Sequence, residues 1–376
     1  LEEPSAPPTD SAFDLKEILY GQGVLLAPLA GVADSAVRIL CRLFGAGPLF
    51  SEMVSAHGVA LGREYLLADR LTLSRYQTPL TVQLVGREPT MMAEVSRQAV
   101  SHGAVSVNLN MACPAPKILK SGKGCALMQE PRLAEQIILA VVKAVKVPVT
   151  VKIRAGFDSR SINCVEFARM AQDAGASMVI LHPRTRAQMY TGHADWSLIA
   201  QTRKAITIPL VGNGDILTPE DAERMLRTTG CDAIMIGRGS YGRPWIFQSV
   251  IRHLESKGML PNPAASFPTM PDPFHREFPG ELDAEACERG DRDAVGKVVR
   301  MHVMLASRYM PEETMAKEVR KHLAWYSKGM VGATSLRRNL ARITDMISME
   351  RLGLSFFRSD SHYLEHESLA VPPSRV

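Results

Sequence analysis

The sequence has no cysteine pair at C-x-x-C spacing and no His/Cys group at zinc-ligand spacing. Its six cysteines, at 41, 113, 125, 164, 231 and 287, stand apart. That excludes a disulfide framework and a structural metal, and it fits a reducing compartment. No run is long and apolar enough to span a bilayer. The first 23 residues are acidic and proline-bearing and lack the apolar centre of a signal peptide. A cytoplasmic protein away from membranes is therefore expected. No G-x-G-x-x-G turn follows an early strand, as a Rossmann nucleotide fold requires. Net charge is small, +5 over 376 residues, and by itself points to no partner.

What is present is uneven charge and a repeating pattern. Residues 292–344 hold eleven Lys/Arg against four Asp/Glu, net +7, which leaves −2 for the rest of the chain. Charge gathered this way fits contact with a polyanion or a solvated helical surface, and charge alone does not separate them. Upstream, eight apolar runs recur at 24–29, 48–53, 81–85, 105–110, 149–153, 178–182, 209–212 and 233–237. They are rich in Val, Ile and Leu and read as strands covered on both faces, without polar alternation. Amphipathic stretches such as 90–102, 131–145, 161–174 and 218–227 lie between most of them. The last opens on Thr218 as N-cap and Pro219 as first helical residue.

Eight strand–helix units predict an α/β fold, a TIM (β/α)8 barrel, more than an open doubly wound sheet. The expected order is a disordered tail over 1–15, the barrel over 16–257, and a proline-rich linker or insertion over 258–291. A small C-terminal helical bundle over 292–356 and a tail over 357–376 follow. Trp325 and Tyr326 are assigned to the core of that bundle.

In such a barrel chemistry collects where strands end. The ends here carry Pro28, Leu29 and Ala30, then Glu52, Gln83, Asn110 with Cys113, Lys152 with Arg154, His182 with Arg184, Asn213-Gly214-Asp215 and Gly237-Arg238. A ring of polar residues inside apolar sequence is hard to explain by packing, because each must find a hydrogen-bond partner. Residues 105–128 stand out. A valine-rich strand ends at Asn110, breaks at Cys113-Pro114, and enters a loop holding Lys117, Lys120 and Lys123. That arrangement mounts a reactive thiol on a rigid floor beside an anionic partner. Glycines at 214 and 237 with Arg238 suit a ligand phosphate. Lys152 and the Gln83 amide suit the electron-rich edge of a flavin, so flavin mononucleotide fits better than a sugar phosphate.

The motifs APLAGVAD (27–34), SEM (51–53), VQLVG (82–86), NLNMACPAPKI (108–118), VKIRAGF (151–157), HPRTRAQMYTGHADW (182–196), VGNGDI (211–216) and IGRGSYGRPWIF (236–247) occur in that order. Together they resemble the tRNA-dihydrouridine synthases, most of all the B-type bacterial branch. VRKHLAWYSKG (319–329) is similar to the family's helical tRNA-binding domain.

The resemblance implies an FMN barrel that uses NADPH to reduce uridines in tRNA. A hydride would reach uracil C6 from the reduced flavin, and the proton for C5 would come from Cys113. Gln83, Lys152, His182, Asn213, Gly214, Asp215, Gly237 and Arg238 would hold FMN, with Pro28, Leu29 and Ala30 lining it by backbone. Asn110 would face the uracil of an extruded nucleotide. Lys117, Lys120, Arg184, Arg320, Lys321, Lys328, Arg337 and Arg338 are the expected RNA contacts. No metal, DNA or obligate protein partner is expected.

Three departures from the family pattern stand out. Ala112 replaces the usual glycine before Cys-Pro, Cys125 replaces the usual serine and is read as structural, and the stretch 259–291 is longer than usual. Two other readings stay open: a flavin barrel acting on a free pyrimidine or another small enone, and an RNA-binding module that has lost activity.

Overall fold

The computed structural model describes residues 23–63, 65–68, 77, 79–260, 282–310, 312–343 and 345–358. The expected N-terminal tail, residues 261–281 and all but two residues of the expected C-terminal tail lie outside them. The chain divides into two compact units, the described parts of Leu1–Ser240 with Ile246–Pro271 and of Tyr241–Trp245 with Asp272–Val376.

The first unit is a nearly closed parallel barrel. Its strands are β1 (Val24–Leu26), β2 (Leu49–Phe50), β3 (Val54–Ser55), β4 (Leu80–Val85), β5 (Ser106–Met111), β6 (Val149–Gly156), β7 (Met178–Thr185), β8 (Leu210–Asn213) and β9 (Ala233–Ile236). Pairing runs β1-β9-β8-β7-β6-β5-β4-β2, with β3 also on β4. β2 and β3 are two pieces of one barrel strand, interrupted at Ser51-Glu52-Met53. The remaining seam is bridged where the Gly47 N–H donates to the Val24 carbonyl at 2.7 Å.

Helices Pro89–Ser101, Pro131–Ala144, Cys164–Asp173, Trp196–Ala205, Pro219–Thr229 and Ile246–Ser256 separate or follow the strands. Helix Pro219–Thr229 begins as its sequence dictates, with a Thr218/Asp221 capping box and Pro219 in the first turn. It stops at Gly230, which takes a left-handed φ of 65°.

Strand parity divides the barrel interior into two kinds of surface. Leu25, Phe50, Met178, Ile180, Val211, Ala233 and Met235 form an apolar floor. On β4, β5 and β6 the same parity places Thr81 and Gln83, Ser106, Asn108 and Asn110, and Thr150, Lys152 and Arg154. All eight are buried. The expectation of strands without polar alternation is thus corrected for these three. Val107, Leu109 and Met111 face the opposite way from the polar set.

The second unit is helical. Helices Arg292–Tyr309, Glu312–Tyr326, Ala333–Leu340 and Met346–Phe356 bury Val295, Val298, Leu305, Val319, Leu323, Leu336 and Phe356. Gly296 permits close packing, since a Cβ there would sit 2.7 Å from the Phe357 carbonyl oxygen. Part of the stretch read as linker is ordered: Ala284–Glu288 is a helix capped by Asp283, with Ala284 and Cys287 buried. Tyr326 is buried and Trp325 half-buried, stacked on Tyr241 with ring centroids 4.6 Å apart.

Candidate active site

Cys113 follows β5 by two residues and is half-buried. Its loop is clamped on every side. Asn110 Oδ1 accepts from the N–H groups of Ala112 (3.1 Å) and Cys113 (2.9 Å). Arg154 Nε donates to the Ala112 carbonyl at 2.9 Å, and the Cys125 N–H donates to the Cys113 carbonyl at 3.1 Å. Gly124 is required behind the thiol. Its φ is +62°, and a Cβ there would lie 2.8 Å from the Cys113 carbonyl oxygen and 3.1 Å from the Cys113 Cβ. Burial pushes the Cys113 thiol up from its ordinary pKa, opposed by a hydrogen bond from the Ala115 backbone and by Arg154. The group is therefore a neutral thiol near pH 7, a proton carrier more than a thiolate nucleophile.

At the ends of β6, β7 and β8 the site holds basic and amide side chains. Buried Lys152 donates to Asn213 Oδ1 at 2.7 Å, and Asn213 Nδ2 donates to the Met235 carbonyl at 2.7 Å. Burial, aided by Arg154, lowers the Lys152 pKa to about 7. Burial holds His182 well below its usual range, with Lys152, Arg154, Arg184 and Arg238 adding repulsion, so the ring is neutral. Gly214, with φ of +115°, lies against that ring, where a Cβ would meet His182 Cδ2 at 2.8 Å.

Asp215 takes a left-handed φ of 57° and ties the two final loops together. Its carboxylate accepts from Arg184 Nη2 (2.8 Å), from the Ala194 N–H (2.7 Å) and from Arg238 Nη2 (3.4 Å). Arg238 is exposed beside Gly237, held by Asp215 and by the Tyr190 carbonyl, to which its Nη1 donates at 3.3 Å. Pro28 and Leu29 are half-buried and Ala30 exposed along the same rim. Glu52 is buried, its Oε1 accepting from the Gly31 N–H at 2.5 Å.

Two expected roles change in this geometry. Arg184 is only 1% exposed. Its guanidinium donates to the Thr191 and Gly192 carbonyls at 3.1 and 2.6 Å as well as to Asp215. It braces the loop after β7 and has no surface to offer RNA. Asn110 spends its oxygen on the Cys113 loop and its amide on Gln83 Oε1 at 2.8 Å, so it positions the thiol whatever else it faces.

Two residues, Arg154 and Tyr190, carried no assigned role in the sequence. Arg154 donates to the Ala112, Thr185 and Met189 carbonyls and stands 5.5 Å from the Tyr190 ring centroid. Arg238 stands 5.2 Å from the same exposed ring. The signal for Arg154 was its spacing, one strand repeat beyond Lys152.

The basic loop is anchored where Arg87 donates to the Gly122 carbonyl at 3.1 Å and pairs bidentately with Glu130. Lys117 and Lys120 project from it, exposed. In the helical unit Lys328, Arg337 and Arg338 are exposed. Arg320 is half-buried against the Ile343 carbonyl, and Lys321 is paired with Glu318. All six cysteines are free. Among the described residues no group of three or more His, Cys, Asp or Glu gathers at metal-binding distance, and no helix is long and apolar enough to cross a membrane.

A sequence model of the family described as Dihydrouridine synthase (Dus) matches residues 25–359, which covers both units. The chain belongs to the dihydrouridine synthase family. It is 40% identical over 305 residues to a tRNA-dihydrouridine synthase B of Xanthomonas campestris pv. campestris, covering 81% of this chain and 83% of that one. It is 37% identical over 322 residues to the tRNA-dihydrouridine synthase B of Pseudomonas aeruginosa, covering 86% and 89%. A probable tRNA-dihydrouridine synthase 1 of Synechocystis is 39% identical over 324 residues, covering 86% and 83%.

The family is one of flavin-dependent oxidoreductases, and the residues present fit a flavin. Lys152 meets one acceptor among the described residues, Asn213, and keeps N–H groups for an electron-rich edge. Gly214 and Gly237 leave backbone room beside Arg238, and the Gln83 amide retains one N–H and one lone pair.

Proposed function

We propose that this dihydrouridine synthase reduces uridines to 5,6-dihydrouridine in tRNA, with FMN as its flavin, NADPH as reductant and the cytoplasm as its compartment. The observation that carries the reading is the Cys113 thiol, clamped through its backbone N–H and carbonyl just beyond β5, in a barrel whose other strand ends carry buried Lys152 and Arg154. Bound flavin supplies the hydride that uracil C6 receives. Cys113 gives its proton to C5 on completion of the reduction, and a raised pKa keeps that proton in place until it is needed. Lys152, cationic below about pH 7, and the neutral His182 stabilise negative charge at the flavin edge and the phosphate side. Gln83, Asn213, Gly214, Gly237 and Arg238 complete the FMN site, with Asp215 holding Arg238 by its carboxylate rather than touching a phosphate of like charge. Lys117, Lys120, Lys328, Arg337 and Arg338 supply phosphate contacts to RNA, with Arg320 and Lys321 contributing once their local partners exchange.

The test is anaerobic. The flavin is reduced with NADPH, and its reoxidation is followed after adding unmodified tRNA or free uridine monophosphate. Rapid reoxidation by tRNA alone is the expected result. Equal reoxidation by the free nucleotide would replace this reading with that of a small-molecule reductase.

A further inference from the structure

We propose that Asn108 and Thr150 are positioning residues for Cys113, acting through a one-directional chain of side-chain amides across three strands. The proposal rests on Cys113 as the proton donor.

The direction of the chain follows from donor and acceptor chemistry. The backbone N–H groups of Ala112 and Cys113 both point at the Asn110 side chain and can only donate, so Asn110 must present its oxygen to them. Its Nδ2 then faces Gln83 at 2.8 Å, and Gln83 must answer with Oε1. That turns Gln83 Nε2 toward Asn108 Oδ1 at 2.7 Å, and Asn108 Nδ2 toward Thr150 Oγ1 at 2.8 Å. The Thr150 hydroxyl, now accepting, has its own proton to give, and the Val107 carbonyl lies 3.4 Å away to take it. Every link has one donor and one acceptor. Flipping Gln83 would set NH2 against NH2 toward Asn110 and oxygen against oxygen toward Asn108; flipping Asn110 would set its NH2 against the two backbone N–H groups, and flipping Asn108 would set its NH2 against that of Gln83.

Register and burial make the chain rigid. Gln83 pairs with Asn108 and Asn108 with Thr150 as direct neighbours across β4, β5 and β6. Asn108 and Thr150 are 0% exposed and Gln83 1%, so water cannot stand in for a lost partner. The hydroxyls of Thr81 and Ser106, 2.9 Å apart, occupy the next rung of β4 and β5 toward the strand starts. Neither Asn108 nor Thr150 reaches the barrel mouth. Their role is to hold the Gln83 amide, and through it the Asn110 amide, in the orientation that the Cys113 peptide requires.

Asn108→Leu removes both links at constant size, while Asn108→Asp restores the direction, since a carboxylate accepts from Gln83 Nε2 and from the Thr150 hydroxyl. The readout is the iodoacetamide alkylation rate of Cys113, measured by peptide mass spectrometry without tRNA or reductant, alongside kcat and KM for tRNA. Asn108→Leu is expected to alkylate Cys113 about tenfold faster and to lose about tenfold in kcat, with KM for tRNA within about twofold. Asn108→Asp should recover most of both. Wild-type alkylation in Asn108→Leu, or an Asp variant as impaired as the Leu one, overturns the proposal. Should Asn108→Leu fail to fold, Thr150→Val breaks the far end alone. It should speed alkylation in the same direction by less, and wild-type alkylation there also overturns it. Because alkylation needs no substrate, the relay and the uridine-reductase reading fail separately.

Discussion

Asn108 in the barrel and His302 in the helical unit are buried to the same depth, yet their hydrogen bonding differs. Asn108, Gln83 and Thr150 each meet a partner on two sides, and none of them carries charge. His302 and His322 are 1% and 3% exposed, with rings 4.6 Å apart, and the Nε2 of each has no hydrogen-bond partner among the described residues. His302 Nδ1 is engaged with the Tyr326 hydroxyl at 3.0 Å. An amide can satisfy neighbours on two edges and ignore pH. An imidazole buried beside another imidazole and Lys321 must stay neutral, so its burial acquires a pH limit. The amide series thus keeps one geometry at any ordinary pH, whereas the histidine pair leaves two ring nitrogens unmet and is sensitive to acid.

Removing the barrel's one reactive atom should produce the largest effect. Cys113→Ala is expected to lower single-turnover dihydrouridine formation by about 10²- to 10⁴-fold, the range of a general acid, with flavin content and NADPH oxidation retained. Full activity would remove Cys113 from the chemistry, and the fixed geometry around it would then need another purpose.

The histidine pair gives the next effect, confined to the helical unit. Burial, with Lys321 adding to it, lowers the His302 pKa from 6.5 to about 4. Between those values the unfolded chain binds a proton that the folded chain refuses, so stability is full above pH 6.5 and falls as pH drops toward 4. The loss is about 3 kcal/mol for this residue alone. Urea unfolding followed at Trp325 across that range should show it. His322→Phe removes one buried imidazole and its unpartnered nitrogen, and it should flatten the acid limb; an unchanged slope would place the acid sensitivity elsewhere.

A smaller effect is expected from the exposed cations. Arg337 and Arg338 lie in the last turn of helix Ala333–Leu340 with solvent around them. Reversing both to Glu should weaken tRNA binding about tenfold and reduce the salt slope of log K by about one per lost phosphate contact, leaving kcat at saturating tRNA near wild type. Binding that ignores the change would make these residues solvated surface only.

The same contrast explains what could be read in advance. Each of the eight apolar runs held a strand, because parallel strands covered on both faces leave that trace, while β3 (Val54–Ser55) fell just beyond the second run. The break at Ser51-Glu52-Met53 showed only as Glu52 at the end of the second run, and nothing there announced that pairing resumes at Val54. Cys113, Lys152 and His182 were visible as polar residues at strand ends. Arg184 occupies the same kind of position, but residues 185–192 fold back over its guanidinium, and nothing local announces that return. The Asn108–Thr150 relay was written as alternation in Ser106, Asn108 and Asn110. It was hidden because Val107, Leu109 and Met111 between them give the run the look of a wholly apolar strand. The unpartnered histidines had no local signal at all, since His302 and His322 meet only when two helices pack.

The smallest effect sharpens the comparison most finely, because it sets two thiols of one loop against each other. Cys125 sits twelve residues after Cys113, wholly buried, with its Sγ 3.8 Å from the Gly156 carbonyl oxygen. Burial pushes its pKa up to about 12, against the pull of Arg154 and Arg186. The thiol is therefore neutral throughout the working range and closed to reagents, although Arg154 bears on both sulfurs. Its contribution to Cys113 passes through its backbone N–H, which any residue supplies. Cys125→Ser keeps that N–H and gives the Gly156 carbonyl a stronger donor, so kcat should stay within about twofold of wild type and stability within about 1 kcal/mol. Iodoacetamide should label Cys113 alone in the native wild-type protein. Labelling of Cys125, or a large loss of activity in Cys125→Ser, would mean that the loop opens during turnover and that its clamps are less rigid than the hydrogen bonds around Cys113 imply.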